Sequence, residues 1–252
     1  MSDTQWHQLN NGETVSISRN GNHQYWIGDN GPRMRSVTTM AKHVDGDLFG
    51  AGTGWALKQV RLNNGDLGAP ARSNTEAKQV GDRLHKAIDR YIQDGVVAED
   101  NPLFLAWFHA VGKGEKWVES ERFIYHPELL YGGTVDALSQ DSDGSITVWD
   151  WKTRERESYQ NNGGYLHEYA QLAAYTDALR AMGSVWAPSR GYIVYVMRDA
   201  IGNPLPDDED DVESYRREII RNEVDVVEVD LSYGSKLFRA SRELFLLTTG
   251  GK

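Results

Sequence analysis

The chain contains no cysteine. That excludes disulfides, thiolate zinc sites and iron–sulfur clusters, and it fits a cytoplasmic protein. No apolar run reaches about 18 residues, so no membrane span is expected. The opening Met1-Ser2-Asp3-Thr4-Gln5 lacks the charged and apolar regions of a signal peptide and the arginines of a transit peptide. There is no internal repeat and no Gly-x-x-x-x-Gly-Lys-(Ser/Thr) loop, so a nucleotide-driven motor, where one is needed, must be another chain. Positive charge is scarce: 27 Lys and Arg face 37 Asp and Glu, a net charge of −10. This weighs against a protein that coats duplex nucleic acid without specificity. It does not exclude an enzyme whose metal ions hold a phosphate. The deficit is also uneven. Asp207, Asp208, Glu209, Asp210, Asp211 and Glu213 follow Gly202-Asn203-Pro204 and read as a solvated loop, whereas residues 33–72 are locally basic.

At 252 residues, with 10% aromatic side chains, the chain is long enough for one domain with or without appendages. Val15, Ile17, Tyr25 and Ile27 flank Asn20-Gly21-Asn22 and predict an N-terminal hairpin over 13–28. Ser36 to Met40 precedes a short helix. Glycines 46, 50, 52 and 54 loosen the next segment, and a helix over 53–62 carries Trp55, Lys58 and Arg61. The clearest helix runs over 73–93, with Ser73 or Asn74 as its cap, a stripe of Val80, Leu84, Ala87, Ile88 and Tyr91, and Gly95 as its stop. Gly81 and His85 lie four apart at the edge of that stripe. A further helix is expected over 103–119. Strands follow at 121–126, 130–139 and 145–152, then a polar loop over 153–164. A helix over 165–182, strands at 191–198 and 224–230, and a closing helix over 232–247 complete the pattern. This order predicts an α/β or α+β sandwich around a mixed sheet.

The chemistry concentrates on two strands joined by Asp141-Ser142-Asp143-Gly144. Side chains alternate along a strand, so Asp150 and Lys152 share a face. Pairing across the turn puts Asp136 near the Trp149 to Trp151 stretch. Two carboxylates and an ammonium then converge, as a metal-dependent phosphodiester hydrolase requires. Hard oxygen ligands suit magnesium or manganese, which activate water and neutralise charge on the phosphate. Carboxylates crowded together repel, so their pKa values should be raised until a cation relieves them. Gln171 and Tyr175, four apart, share a helix face. His43, His109, His126 and His167 show no ligand spacing.

These residues resemble the motifs of the PD-(D/E)XK nuclease superfamily, and more narrowly its RecB-type exonuclease branch, which includes the mitochondrial genome maintenance exonucleases and phage and bacterial relatives. Gly81-Asp82-Arg83-Leu84-His85 is similar to the branch's Gly-x-x-x-His helix. Tyr131-Gly132-Gly133-Thr134-Val135-Asp136 resembles its Tyr-Ala-Gly-Thr-(Ile/Val/Leu)-Asp strand. Trp149-Asp150-Trp151-Lys152-Thr153 is similar to its (Ile/Val)-Asp-aromatic-Lys-(Thr/Ser) strand, and Gln171-Leu172-Ala173-Ala174-Tyr175 to its Gln-x-x-x-Tyr helix. Each motif is weak alone; the ordered set, over about 73–198, is specific. Ser36-Val37-Thr38-Thr39 is a short additional match.

The resemblance implies an α/β fold with a restriction-endonuclease-like core, a mixed β-sheet flanked by helices. Residues 73–252 would form that core and 1–72 an N-terminal extension with a substrate-gripping helix. It implies two Mg²⁺ or Mn²⁺ ions held by His85, Asp136, Asp150 and the main-chain carbonyl of Trp151. Lys152 would be the catalytic lysine. The upstream acid would be Glu119 or Glu121, which a two-residue spacing can place on one face; the Glu-Arg-Phe-Ile-Tyr run favours Glu121. Gln171, Tyr175 and Thr153 would meet substrate, with Trp55 and Lys58 gripping a strand by stacking and charge. The implied activity is a DNA exonuclease in DNA processing, recombination or repair, bacterial or phage-encoded, with a helicase or recombination protein as possible partner. A restriction-type or structure-specific endonuclease would share the core. A non-catalytic nucleic-acid-binding module is the alternative of another class.

Overall fold

The computed structural model describes residues 3–22, 24–28, 31–45, 51–200 and 223–250, with the side chains of 51–53 left aside. The acidic run at 207–213 and glycines 46 and 50 lie outside the described residues. Four strands open the chain: β1 (Asp3–Gln8), β2 (Thr14–Arg19), β3 (Tyr25–Ile27) and β4 (Arg33–Ser36). Helices α1 (Val37–Ala41), α2 (Ala51–Leu62), α3 (Ala69–Asp94) and α4 (Pro102–Ala110) follow. Then come β5 (Trp117–His126), β6 (Tyr131–Gln140), β7 (Ile146–Arg154), α5 (Arg156–Asn162) and α6 (Leu166–Ala181). β8 (Arg190–Met197), β9 (Val224–Glu228) and α7 (Leu231–Thr249) close it. The strands form one mixed sheet in the order β1-β2-β3-β4-β6-β7-β8-β9, with β5 on the second edge of β6. Among the described residues only β4·β6 and β7·β8 are parallel. The expected α/β class with a mixed sheet between helices is what the chain adopts.

Alternation along β7 divides the interior. Ile146 and Val148 face a core shared with α1, α6 and α7. Trp149 and Trp151 face a second core against α3 and α4. There Trp151 meets Trp107 and Trp117 edge-on, at 5.4 and 5.8 Å between ring centroids. Such pairs each add roughly 0.5–1.5 kcal/mol beyond area burial. With the tryptophans committed to one face, Asp150 and Lys152 must take the other. The β6–β7 turn forms as expected: the Gly144 N–H donates to the Asp141 carbonyl at 2.9 Å, with Gly144 at φ +85°.

β6 carries a split that positions the site. From Tyr131 to Ser139 it pairs with β5 on one edge, with a break at Asp136. On the other edge, Tyr131 and Gly132 pair with β4, and Ala137 to Gln140 pair with β7. Residues 133–136 lie between these partners. Tyr175 of α6 fills the gap at Gly133, where a Cβ would sit 2.6 Å from Tyr175 Cε1.

Several element boundaries differ from the sequence expectation. α3 starts at Ala69, not Ser73, because Pro70 fits its first turn. The helix expected to reach Glu119 stops at Ala110, where Gly112 and Gly114 follow, and Trp117 to Ser120 belong to β5. The segment over 153–164 is not all loop: β7 runs to Arg154 and α5 follows. The short helix begins at Val37, inside the segment expected to precede it. The N-terminal hairpin is β2–β3, extended by β1 and β4 on either side.

Gly133→Ala should lower the unfolding free energy by about 1–3 kcal/mol, the usual cost of overpacking, and with it the chemical denaturation midpoint. An unchanged midpoint would mean that the Tyr175 ring can swing aside.

Candidate active site

His85 lies on α3 beside the buried Leu84 and Ile88, on the side facing the sheet. Its Nε2 is 3.1 Å from the Trp151 carbonyl. A carbonyl only accepts, so Nε2 carries the proton in that contact. Nδ1 then faces Asp136 Oδ1 at 3.6 Å and Glu121 Oε1 at 4.0 Å. One ligand atom from each of His85, Glu121 and Asp136 lies within 4.8 Å of the others. The second oxygen of Asp136 accepts the Trp151 N–H at 2.8 Å, so a side chain bonds β7 where the β6 ladder is split. The Trp151 main chain therefore borders the cluster through both of its polar groups.

Glu121 reaches the cluster through an unusual backbone. Its φ is +47°, left-handed for a non-glycine residue, at a cost of about 1–3 kcal/mol. The turnover of the strand at that point breaks simple alternation. Ser120 and Glu121 both face α3: Ser120 Oγ donates to Asp89 Oδ1 at 2.5 Å. Glu119 and Arg122 face the opposite side and are ion-paired, and Trp186 Nε1 donates to Glu119 at 2.9 Å. The expectation that Glu119 and Glu121 share a face therefore fails, and Glu121 is the one beside Asp136. The side chain of Gln5, on β1, holds the distorted strand. Its Nε2 donates to the Glu121 carbonyl at 2.8 Å, and its Oε1 accepts the Phe123 N–H at 2.7 Å. Gln5 had no local signal in the sequence; it acts across more than a hundred residues.

Burial, then the charge of Asp136, pushes the Glu121 carboxyl up to about 7. Burial likewise raises Asp150, against the opposing charge of Lys152. Asp150 is 1% exposed and stands beside the cluster, not within it. One oxygen is ion-paired with Lys152 and the other accepts from Gln171 Nε2 at 3.4 Å. Gln171 also donates to the Tyr175 hydroxyl at 2.7 Å. The lysine neutralises a carboxylate that burial would otherwise leave at high cost.

The His85–Glu121–Asp136 cluster and Lys152 open onto a cleft of about 1990 Å³, with Asp150 buried behind them. Its walls include α3 from Ser73 to Asp89, Trp55, Thr153, Lys152, Tyr165 and Arg198. Gln171 is buried and not part of that wall, whereas Tyr175 reaches it from the interior. Lys58, exposed on α2, is not brought to the cleft as its neighbour Trp55 is. The histidines without ligand spacing stand elsewhere. His43 meets the Thr39 carbonyl, the His126 ring accepts from the Leu129 N–H, and His167 pairs with Asp45.

Residues 101–232, more than half of the chain, match the family described as the PD-(D/E)XK nuclease superfamily, and the chain belongs to it. Its α/β sheet and helices are consistent with the restriction-endonuclease-like fold of that superfamily. No curated protein matches it in sequence. Among solved structures it is similar to a protein called SSO0001, at 16% identity and a TM-score of 0.35 over 81% of this chain and 74% of that one. It is also similar to an alkaline exonuclease, LHK-Exo, from Laribacter hongkongensis, at 14% identity and a TM-score of 0.29 over 56% of this chain and 66% of that one. LHK-Exo in complex with dAMP matches at 12% identity and a TM-score of 0.36, over 86% and 88%. Nucleases of this superfamily use divalent metal ions. The donor set fits one: Glu121, Asp136 and His85 are two hard oxygens and an imidazole, and burial, with the charge of Asp136, has already pushed the Glu121 carboxyl up. Among the described residues no helix is long and apolar enough to cross a membrane.

The raised Glu121 carboxyl has a signed consequence. The native state keeps a proton that the unfolded chain releases near its ordinary value of 4.5. The associated stability is present below that value and is lost as pH rises through about 7. Glu121→Gln removes this titration. In EDTA at pH 8 the variant should be more stable than the wild type by about 1 kcal/mol, allowing for solvent screening of a partly exposed carboxylate, and at pH 4 equal to it. Denaturation curves at both pH values check this; a variant less stable at pH 8 would contradict it.

Proposed function

We propose that this chain is a magnesium- or manganese-dependent deoxyribonuclease, an exonuclease of the RecB-like branch that binds two ions. The observation that carries this reading is the convergence of His85, Glu121 and Asp136 next to the Asp150–Lys152 pair, on the floor of one cleft. His85, Glu121, Asp136, Asp150 and the Trp151 carbonyl would hold the cations. Bound divalent ions activate water and neutralise charge on the phosphate. Lys152 holds the attacking water or steadies a phosphate oxygen; its ammonium is already fixed at the cluster by Asp150. Gln171 orients Asp150 and shares its amide with Tyr175, which keeps the carboxylate directed at Lys152. Thr153 and Trp55 meet the nucleic acid along the cleft wall, with Lys58 further out. The ordered motif set from Gly81 to Tyr175 supports the exonuclease branch. The biological setting would be the processing of DNA ends in recombination or repair, in the cytoplasm of a bacterium or a phage-infected cell, with any helicase supplied by another chain.

End-labelled linear single- and double-stranded DNA and a closed circle, each with magnesium or manganese, test the proposal. Linear DNA should be consumed from an end and the circle should persist; EDTA should stop the reaction. Cleavage of the circle would replace exonuclease by endonuclease, and no metal-dependent turnover would leave a binding module. Asp136→Ala, Asp150→Ala and Lys152→Ala should each lose at least about 100-fold in rate. Full activity in any of them, correctly folded, would sink the assignment of the site.

A further inference from the structure

The motifs of the nuclease core from Gly81 to Tyr175 lie after residue 73, yet a cation from the N-terminal strands borders the carboxylate cluster. Arg19 ends β2 and lines the cleft with Phe123, Thr134, Glu121 and Asp136. Its guanidinium lies over the Phe123 ring, 4.6 Å from the centroid. Its Nη1 donates to Thr134 Oγ1 at 3.3 Å, and Thr134 Oγ1 is in turn 2.9 Å from the Tyr25 hydroxyl. Phe123 and Thr134 face each other across β5 and β6, two residues from Glu121 and Asp136 respectively. Arg19 is near enough that its charge eases ionisation of Glu121.

This arginine is held in place, but its charge is not consumed. Its ion-pair partner is Asp3 at 3.4 Å, and that carboxylate is 68% exposed. Exposed pairs are worth little and yield to a better anion. Thr134, Tyr25 and Asp3 do not use up the five N–H donors of a guanidinium. The lysines of the cleft differ: Lys42, Lys78 and Lys86 are exposed on flexible stems. Lys152 stands on β7, on the other flank of the cluster, and is committed to Asp150. A phosphodiester backbone crossing the cluster therefore meets a fixed cation on each side. On the β5–β6 flank it is Arg19 that offers free donors in a planar fork, the geometry that suits phosphate oxygens; the cleft's other arginines, Arg154 and Arg198, stand at the ends of β7 and β8.

We propose that Arg19 is a substrate-binding residue that grips a backbone phosphate adjacent to the scissile one, on the β5–β6 side of the carboxylate cluster. The inference rests on the nuclease reading for the position of the scissile phosphate. It makes the N-terminal strands part of the substrate site and not an appendage to it.

The test is binding of a fluorescein-labelled DNA oligonucleotide in EDTA, read by anisotropy, which needs no turnover. Arg19→Gln should weaken binding about tenfold, the loss of one charge-assisted contact. The slope of log affinity against log salt should fall by about 1. A series of oligonucleotides, each with one phosphate replaced by a neutral methylphosphonate, gives the decisive readout. One position should cost the wild type about tenfold and Arg19→Gln nothing. Arg19→Lys keeps the charge and loses the fork, so it should fall between the two; it carries the scan if Arg19→Gln does not fold. Variants with the salt slope and methylphosphonate profile of the wild type would overturn the proposal, as would a wild type that binds no DNA. A wild type with the predicted binding pattern but no metal-dependent cleavage would instead overturn the nuclease reading and leave the Arg19 contact standing.

Discussion

Carboxylates repel, and a site made of them exists only where something else fixes their positions. Here the backbone does so. Asp136 is tied to β7 by accepting the Trp151 N–H, and Glu121 is turned toward it by a left-handed residue that no glycine provides. Both arrangements cost free energy in isolation. They persist because the strands that carry them are locked from outside: β7 by its tryptophans in the α3–α4 core, and β5 by the two hydrogen bonds of Gln5. Strain of this kind is tolerable at one point in a sheet that is over-determined everywhere else.

The split in β6 follows from the same demand. A continuous ladder over residues 133–136 would leave no opening beside Asp136. β4 and β7 instead share that edge in two separate stretches, and α6 closes the gap from behind with Tyr175. Gly133 is small because an aromatic ring takes the place of its side chain. Asp150 lies deeper and solves its own burial differently. It borrows the Lys152 ammonium and the Gln171 amide, so two residues of the motif serve first to make a third tolerable.

What was legible in the sequence was local. Alternation of Trp149, Asp150, Trp151 and Lys152 separates core from site without any tertiary information, and the Asp141–Gly144 turn sets the register that brings Asp136 to Trp151. The stripe on α3 places His85 by helical period alone. What was not legible depends on contacts between distant segments. No pattern marks Glu121 as left-handed, so alternation wrongly paired it with Glu119. Gln5 looks like any polar residue of an edge strand. The apolar spacing of Trp107, Ala110, Val111 and Val118 fits a helix beyond Ala110, but Gly112 and Gly114 break it, and Trp117, partly buried, packs on the aromatic core from β5.

The net charge of −10 also takes on a different meaning once the groups have places. A negative protein can still bind a polyanion if its few cations are fixed where the backbone must pass and its acids are those that metal ions neutralise. On the proposed reading, Glu121 and Asp136 are in the second class. Arg19, stacked on Phe123 and bonded to Thr134, is in the first, and it arrives from strands that the motifs do not include. Nothing in the core from residue 73 onward offers a comparable fixed cation on that flank among the described residues. The β5–β6 side of the cluster then depends on the N-terminal strands twice over, through Gln5 for the shape of the carboxylate strand and through Arg19 for its charge.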